Sequence, residues 1–250
     1  MDNGSRRAIV TGGGTGIGAA TARRLAAEGM DVVIVGRRME VLTATAASIN
    51  KDLDDDRVSA EVCDLTDPGQ VTDLGRRLGR GAAIDVLVAN AGGAVAFSDE
   101  TLTDVAEGWR RSFDLNVTSA VLIIQVLQDQ LTRPGARIIA MSSIAGLRGG
   151  GAYGAAKGAL NAYVMGLSAE LAPEGITVNA VAPGFVPDTE FWEGRLTEEV
   201  TATKLAGIPL NRPGTPEEVA ETVAYLAGPG GGWTTGQIIQ VNGGQLLGRG

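Results

Sequence analysis

The stretch AIVTGGGTGIGAATARRLAAEG, residues 8–29, places a short apolar strand, a glycine-rich turn and an amphipathic helix in direct succession. Glycine lets the backbone approach a bulky ligand closely, and the first turn of a helix offers free N–H groups and a positive dipole end. A strand, a glycine turn and a helix in this order predict a phosphate-binding βα unit at the start of the chain.

Short apolar runs recur along the rest of the chain and are separated by segments with helical periodicity. The expected strands lie at residues 7–10, 31–35, 57–62, 85–90, 136–141, 176–181 and 237–241. The expected helices lie at residues 16–28, 38–50, 67–79, 103–131, 152–172 and 216–227. Continuous apolar strands that alternate with helices are typical of a sheet buried on both faces. We therefore expect one α/β domain over residues 1–250, of the Rossmann type, with a doubly wound, mostly seven-stranded parallel sheet and helices on both faces.

Residues 184–213 interrupt this alternation with prolines and glycines at irregular spacing and with three aromatic residues, Phe185, Phe191 and Trp192. An insertion of this length between a strand and a helix is typical of a lid over a binding site. We expect a substrate lid here, and its aromatic residues favour an apolar substrate. Arg195 is the lid cation with an obvious reach toward a carboxylate or phosphate.

The composition limits the chemistry that the chain can perform. Its 250 residues include no histidine, which excludes Ser-His-Asp and Cys-His nucleophiles and removes imidazole as a metal ligand, so we expect no metal site. A general acid or base must then be Asp, Glu, Lys, Tyr or the single cysteine, Cys63. The net charge of −8 argues against nucleic acid or an anionic membrane as a partner.

The same features indicate a cellular location. One cysteine excludes an internal disulfide and fits a reducing compartment. Residues 1–14 carry no apolar core of a signal peptide, and no run approaches the roughly 18 apolar residues of a membrane span. We therefore expect a cytoplasmic protein that acts on a small molecule.

Tyr153 and Lys157 are the two residues that are not small in GAYGAAKGAL, residues 151–160. Residues four apart lie on the same face of a helix, so these side chains project together. A free phenol has a pKa of ~10, and a cation within roughly 4–6 Å lowers it. In a chain without histidine the pair is a candidate acid/base, and the alternative is a solvated pair on the surface of an amphipathic helix.

The glycine turn has the spacing Thr11-Gly12-x3-Gly16-x-Gly18, which resembles the motif of the short-chain dehydrogenase/reductase family. Further motifs resemble that family in the same order: CDLTD at 63–67, ANAG at 89–92, DLNV at 114–117, MSSIAG at 141–146, YGAAK at 153–157, NAVAPG at 179–184 and TTGQIIQVNGG at 234–244. Eight motifs in order are far more specific than one, and the chain is similar to the 3-oxoacyl-[acyl-carrier-protein] reductase-like members.

The resemblance implies an NAD(P)-dependent oxidoreductase that acts on CH–OH or C=O groups. It implies that Tyr153 protonates the carbonyl oxygen, while Lys157 lowers the pKa of Tyr153 and holds the nicotinamide ribose. Ser143 would hydrogen-bond the substrate oxygen, with Ser142 as a competitor for that role. Asn116 would hold a water molecule in a proton relay behind Lys157, and its alternative role is to satisfy a buried backbone group.

The resemblance also implies the residues that line the two ligand sites. Cofactor residues would be Gly12, Gly14, Thr15, Gly16, Ile17, Gly18, Arg37, Arg38, Asp64, Leu65, Asn90, Ala91, Gly92, Tyr153, Lys157, Pro183, Gly184, Val186 and Thr189. Substrate residues would be Ser143, Phe185, Phe191 and Trp192.

One departure from the family pattern concerns the bridge between Ser143 and Tyr153. The two residues are only ten positions apart, which is shorter than the family's common spacing, and LRGGG at 147–151 joins them. Three consecutive glycines make a tight path feasible, so we expect the loop to shorten while the two side chains stay in place.

The end of the second strand bears on the choice of cofactor. NAD-selective folds place an acid there to bond the ribose 2′-OH, and this chain has Gly36 followed by Arg37 and Arg38. A guanidinium pairs with a 2′-phosphate that a carboxylate would repel. With Arg37 on one side of the adenine and Arg38 near the phosphate, we expect NADP(H) in preference to NAD(H). The alternative is that both arginines are solvated charges at the start of the next helix.

We expect a carbonyl reductase or alcohol dehydrogenase that transfers hydride between NADP(H) and a ketone or secondary alcohol. A 3-oxoacyl-[acyl-carrier-protein] or polyketide ketoreductase ranks lower, because the helix ends at 126–133 and 172–177 offer little positive charge for an acidic carrier. The alternative from another class is a non-catalytic NADP(H)-binding sensor or scaffold. A serine hydrolase lacks both its histidine and a G-x-S-x-G elbow.

Small residues in helix 152–172 and the apolar C-terminal segment GGQLLGRG, residues 243–250, favour contact between copies of the chain. The resemblance implies a tetramer. We expect a homo-oligomer, either a tetramer or a dimer.

Overall fold

The computed structural model describes residues 5–248. Residues 1–4 lie outside the described residues. They belong to the stretch 1–14, in which we expect no signal peptide. Residues 249–250, the end of the segment GGQLLGRG, also lie outside the described residues.

Seven parallel strands form one sheet within residues 5–248, in the order β3-β2-β1-β4-β5-β6-β7. The strands are β1 Arg7–Thr11, β2 Asp31–Gly36, β3 Val58–Val62, β4 Val86–Ala89, β5 Arg137–Met141, β6 Thr177–Pro183 and β7 Ile238–Val241. The predicted Rossmann-type parallel sheet is confirmed, and each strand overlaps its predicted run.

Nine α-helices lie between or beside these strands in the same described part of the chain. They are α1 Gly16–Ala27, α2 Met39–Leu53, α3 Pro68–Leu78, α4 Leu102–Phe113, α5 Ser119–Leu127, α6 Ala145–Arg148, α7 Gly151–Leu171, α8 Glu198–Ala206 and α9 Pro216–Ala227. Helices α3, α5 and α7 pack on one face of the sheet, and α1, α2 and α9 pack on the other.

The strands are mainly apolar because most of them contribute to two cores. In β1, Ile9 faces the core beneath α3, α5 and α7, whereas Ala8 and Val10 face the core beneath α1, α2 and α9. All three side chains are fully buried. Burial of one large aliphatic side chain stabilises the fold by about 1.5–3 kcal/mol, so both faces hold the sheet in place.

In the strand order, β2 and β3 lie on one side of β1, whereas β4 to β7 lie on the other side. The loops that follow β1 and β4 therefore diverge at the carboxyl edge and leave a crevice there. Asn90 closes the base of this crevice, since its Nδ2 donates to the carbonyl oxygen of Thr11 at 2.9 Å and its backbone N–H donates to Thr11 Oγ1 at 2.9 Å.

The structure differs from the sequence-based expectation at three helices. The segment predicted as one helix over 103–131 is divided by a π-helical turn, Asp114–Thr118, between α4 and α5. The segment predicted as a lid over 184–213 contains α8, which begins where Thr197 Oγ1 accepts from the N–H of Val200. Helix α6 lies in the short bridge before Tyr153. Helical periodicity is weak in such short segments, so the sequence did not reveal α6 and α8.

Among the described residues, no helix combines the length and apolarity needed to cross a lipid bilayer.

Candidate active site

One cavity of about 560 Å³ opens at the carboxyl edge of the sheet. Its walls are the glycine turn after β1, the ends of the strands β2 to β6, the first turns of α7 and the segment 183–192. Every residue that we expected to contact the cofactor or the substrate lines this cavity, and Asn116 alone among the expected site residues does not. Folding therefore brings together groups that are more than 170 positions apart in the sequence.

The glycine turn is built for close approach to a ligand. Gly12 and Gly16 have φ values of 64° and 51°, a backbone conformation that favours glycine. A Cβ on Gly18 would lie 2.0 Å from the carbonyl oxygen of Gly12, so no larger residue fits there. The turn and the first turn of α1 are thus in direct contact.

The N-terminus of α1 is available to an anion. No side chain caps it, and its first turn contains no acidic residue. Its free N–H groups and its positive dipole end face the cavity, which fits a pyrophosphate. Thr189 borders the same point, since a Cβ on Gly16 would lie 3.1 Å from Thr189 Cγ2.

The far end of the cavity offers a carboxylate and a buried apolar side chain. Asp64 Oδ1 accepts from the N–H of Thr66 at 3.0 Å and from Thr66 Oγ1 at 2.7 Å. These hydrogen bonds, and then the nearby guanidinium of Arg37, lower the pKa of Asp64. The ionised carboxylate and the buried Leu65 fit a base such as adenine.

Arg38 is joined to the lid across the cavity. Its Nη2 lies 2.6 Å and 2.8 Å from the two carboxylate oxygens of Glu190. Arg37 forms no ion pair or hydrogen bond with another side chain among residues 5–248. Of the two arginines at the end of β2, Arg37 is therefore the one that is free for a ligand.

Tyr153 and Ser143 meet at the centre of the cavity. The Ser143 hydroxyl lies close enough to the phenol to affect the pKa of Tyr153. Burial raises the pKa of Tyr153 to about 12, against a smaller opposing effect of the Ser143 side chain. Lys157 Nζ lies 5.9 Å from the centre of the Tyr153 ring. Burial therefore dominates the pKa of Tyr153 in the chain without cofactor, and the expectation that Lys157 lowers this pKa stays a prediction.

Lys157 is buried beneath Tyr153, and its Nζ donates to the carbonyl oxygen of Met141 at 2.7 Å. Burial lowers the pKa of Lys157 to about 8. At neutral pH the phenol of Tyr153 is therefore protonated and most of Lys157 remains charged.

Ser142 and Ser143 are distinguished by their partners. Ser142 Oγ donates to Asn161 Oδ1 at 2.6 Å, and both residues are buried. Ser143 Oγ accepts from the N–H of Ala145 at 3.2 Å and contacts Tyr153. Ser142 thus holds the end of β5 against α7, while Ser143 faces the cavity.

Asn116 is fully buried in the π-helical turn, where its side chain makes three hydrogen bonds to backbone groups. Its Nδ2 donates to the carbonyl oxygens of Gly93 and Ser112 at 2.8 and 2.9 Å, and its Oδ1 accepts from the N–H of Gly93 at 3.0 Å. A Cβ on Gly92 would lie 2.7 Å from Asn116 Oδ1 and 3.1 Å from Lys157 Nζ. Asn116 therefore holds the loop after β4 beside Lys157, which corresponds to the structural alternative stated above.

The segment 184–213 places a row of aromatic rings at the end of the cavity that holds Tyr153. The ring of Phe191 lies 5.2 Å from that of Tyr153, and the ring of Trp192 lies 5.0 Å from that of Phe191. Phe185 is buried and meets Trp192 edge-on at 5.2 Å. These rings form an apolar wall over the space next to Ser143 and Tyr153.

Arg195 holds the lid in place and does not line the cavity. Its guanidinium lies 5.6 Å from the centre of the Phe191 ring, and its Nη2 donates to the carbonyl oxygen of Ala94 at 3.3 Å. The expectation that Arg195 reaches for a ligand anion is therefore not supported by its position.

The short bridge keeps Ser143 and Tyr153 in contact by means of its glycines. After α6 the chain passes through Gly149, Gly150 and Gly151 with φ values of 89°, 140° and 55°. A non-glycine residue rarely adopts such angles, so the three glycines allow α7 to start immediately after α6.

Sequence reasoning missed several residues that line the cavity, among them Arg148, Glu190, Lys204 and Gln245. Arg148 belongs to the bridge, and Lys204 is one of three lysines in the chain. Their positive charge was the sequence feature that could have indicated a role in the site. Gln245 has a buried Oε1 without a hydrogen-bond partner among the described residues. Nothing in the sequence indicates that Gln245 reaches the cavity.

The donor groups in and around the cavity are not those of a metal centre. Within residues 5–248 no three Cys, Asp or Glu side chains are grouped so that they would hold a metal ion.

The fold and the cavity together define an NAD(P)-binding oxidoreductase. The parallel sheet, the glycine cradle and the open α1 N-terminus fit a dinucleotide. A family model described as enoyl-(acyl carrier protein) reductase matches residues 12–245. The chain belongs to the short-chain dehydrogenase/reductase family, whose members act on ketone and alcohol groups.

Three similar proteins extend over nearly the whole chain. The monensin polyketide synthase putative ketoacyl reductase of Streptomyces virginiae is 39% identical, over 96% of this chain and 97% of its own length. The 3-oxoacyl-[acyl-carrier-protein] reductase FabG of Rickettsia conorii is 33% identical, over 99% of both chains. The solved RhlG/NADP active-site complex of Pseudomonas aeruginosa is 35% identical, with a TM-score of 0.86 and 96% of each chain covered.

Proposed function

We propose that this enzyme is an NADP(H)-dependent ketoreductase that reduces a β-ketoacyl group carried as a thioester. The observation that carries the proposal is the partly buried Tyr153, whose pKa is raised and which lines the cavity together with Ser143, next to the ring of Phe191. The names of the relatives support a ketoacyl substrate more than the free ketone that we first expected. A carbonyl reductase of free ketones is the second candidate, and the apolar wall favours it.

Three side chains of the site, Ser143, Tyr153 and Lys157, each have a defined part in this reaction. When bound, NADPH supplies the hydride that adds to the carbonyl carbon. Ser143 Oγ donates a hydrogen bond to the ketone oxygen and holds it next to Tyr153. Tyr153 donates its proton to that oxygen as negative charge develops there. Since the pKa of Tyr153 is about 12, the phenol is protonated at neutral pH, which suits reduction. Lys157 supplies positive charge beneath the phenol.

The preference for NADP(H) over NAD(H) is part of the proposal. Gly36 leaves no carboxylate at the end of β2 to repel a 2′-phosphate, and Arg37 is free to pair with it. Arg37→Asp should raise the KM for NADPH at least about tenfold, because a charge-assisted hydrogen bond is worth about 1.5–3 kcal/mol. An unchanged KM for NADPH would show that Arg37 does not contact the phosphate.

The function is tested by following NADPH oxidation with S-acetoacetyl-pantetheine, with cyclohexanone and with S-crotonyl-pantetheine. We expect turnover of the acetoacetyl thioester and its loss in Tyr153→Phe. Turnover of cyclohexanone alone would support the carbonyl reductase, and turnover of the crotonyl thioester alone would indicate an enoyl reductase. NADPH binding without any Tyr153-dependent turnover would support a sensor or scaffold.

The proposal includes a cytoplasmic location, which is consistent with a buried free thiol at Cys63. It also includes a homo-oligomer, a tetramer or a dimer. The wholly exposed ring of Trp233 and the exposed Leu247 near the C-terminus support contact between copies. A light-scattering mass equal to one 25.6 kDa chain would contradict the oligomer.

A further inference from the structure

Most charged groups that line the cavity have a partner or a defined neighbour. Lys157 donates to the carbonyl oxygen of Met141, and Arg38 is paired with Glu190. Asp64 is held by Thr66 beside Arg37 at the end for the adenine. Apart from Arg37, which we assign to the cofactor phosphate, two lining cations remain among the described residues, Arg148 and Lys204. Neither has an ion-pair or hydrogen-bond partner for its side chain among residues 5–248.

The contacts of these two cations place them near the expected substrate groups. Lys204 Nζ lies 5.5 Å from the centre of the Trp192 ring, and Trp192 contacts Phe191, whose ring meets that of Tyr153. Arg148 ends α6 and is followed by the three glycines that lead to Tyr153.

Two unpaired cations that line one cavity are unusual in a chain with a net charge of −8. The aromatic ring beneath Lys204 restrains its side chain, so less freedom is lost when it binds an anion. Two carboxylates line the same cavity: Glu190 is paired with Arg38, and Asp64 is held by Thr66 near Arg37. Neither forms an ion pair with Arg148 or Lys204, so both cations are available to a negative group.

We propose that Arg148 and Lys204 bind a phosphate that the substrate itself carries at the end of a long arm. This inference rests on the proposed function, since the ketone must lie at Tyr153 and Ser143. Two aromatic rings separate Lys204 from Tyr153. The carboxylate of a short β-keto acid stays beside its ketone, whereas the arm of a phosphopantetheine thioester extends past the rings.

The decisive comparison uses two substrates that differ by one phosphate: S-acetoacetyl-4′-phosphopantetheine and S-acetoacetyl-pantetheine. We expect the wild-type kcat/KM to be at least about tenfold higher for the phosphorylated substrate, and the ratio to fall as salt is added. In the double variant Arg148→Gln, Lys204→Gln the ratio should approach one. The matched control, Arg80→Gln with Lys51→Gln, removes two exposed charges on α2 and just after α3 and should keep the wild-type ratio.

A binding measurement separates this inference from the proposed function. Titration calorimetry with NADP⁺-saturated protein compares 4′-phosphopantetheine with pantetheine, and neither probe contains a ketone. Tighter binding of the phosphorylated probe, lost in the double variant, would support the phosphate site even if no thioester is reduced. Equal binding of the two probes, or equal ratios in the double variant and the control, would overturn it. Acetoacetate and methyl acetoacetate test the alternative that the two cations bind a carboxylate of the substrate. If a charge-dependent preference appears only for acetoacetate, the assignment to a phosphate is also overturned.

Discussion

The ring of Phe191 rests against the ring of Tyr153, with centroids 5.2 Å apart and planes inclined by 52°. One residue comes from the lid and the other from the start of α7. The contact shields the phenol from solvent, and the same burial raises the pKa of Tyr153. The position of the lid and the protonation state of Tyr153 are therefore linked.

Loss of the Phe191 ring should expose the phenol and weaken the apolar wall. We expect Phe191→Ala to lower kcat/KM for the ketone by roughly three- to tenfold, since such an aromatic pair is worth about 0.5–1.5 kcal/mol. The Kd for NADPH, measured by fluorescence titration, should change much less. Phe191→Leu keeps an apolar side chain next to the phenol, so its kcat/KM should lie between those of the wild type and Phe191→Ala. A wild-type kcat/KM in Phe191→Ala would show that the lid does not cover the reacting ketone.

Gly18 should tolerate no side chain. A Cβ there would meet the carbonyl oxygen of Gly12 at 2.0 Å, and backbone cannot move aside cheaply. We expect Gly18→Ala to weaken NADPH binding by at least about 100-fold. The alternative result is a decrease of several kcal/mol in the free energy of unfolding, which is as large as the most severe effects of overpacking a core. Binding and thermal unfolding measured together distinguish these results.

Gly166→Ala is the matched control for Gly18→Ala. Gly166 is exposed within α7 and has no neighbouring atom within 4 Å of a Cβ. Replacement should raise the free energy of unfolding by about 1 kcal/mol, because alanine favours the helix. If Gly18→Ala binds NADPH as the wild type does, the close contact between the turn and α1 is not required.

Glu190 should compete with the cofactor phosphate for Arg38. The pair is largely exposed, with side-chain exposures of 58% and 45%, so it contributes at most about 1 kcal/mol. Glu190→Gln should therefore tighten NADPH binding by up to about fivefold and leave NADH binding nearly unchanged. Isothermal titration with both cofactors measures this. Glu193→Gln, three positions along the same lid, is the control, and equal effects of the two variants would contradict the competition.

Lys157 should make the stability of the protein depend on pH in the alkaline range. Between pH 8 and pH 10 the unfolded chain keeps its Lys157 proton, while the folded chain, with a pKa of about 8, has released it. The unfolded state then binds more protons, so the free energy of unfolding rises with pH, by roughly 2–3 kcal/mol over this range. Urea unfolding at pH 7, 8, 9 and 10 measures the rise.

Lys157→Met should remove this rise. Above pH 10 the direction reverses in both proteins, because the folded state retains the Tyr153 proton up to about pH 12. Tyr153→Phe, measured at pH 10 and above, should weaken that later decline. The same increase between pH 8 and pH 10 in the wild type and in Lys157→Met would assign the effect to another group.

Local patterns in the sequence were sufficient for the sheet and for the cofactor end of the site. The strands were visible because burial on both faces makes most of their residues apolar, as in the central residues of β1 and in β6. The glycine turn was visible because Gly12, Gly16 and Gly18 have positions that no other residue can occupy without strain or collision. Helices α6 and α8 were not visible, since each is too short to show a clear period.

The sequence by itself determined the family of the protein, its parallel sheet and the set of residues from which the site is built. Tertiary structure alone decided what those residues contact: Glu190 takes Arg38, Asn116 hydrogen-bonds to backbone groups, and Lys204 lines the same cavity as Arg148. It also decided that burial raises the pKa of Tyr153 and lowers that of Lys157. The physical reason is that residue types and spacing are local, whereas charge pairing and burial depend on distances between segments far apart in the chain.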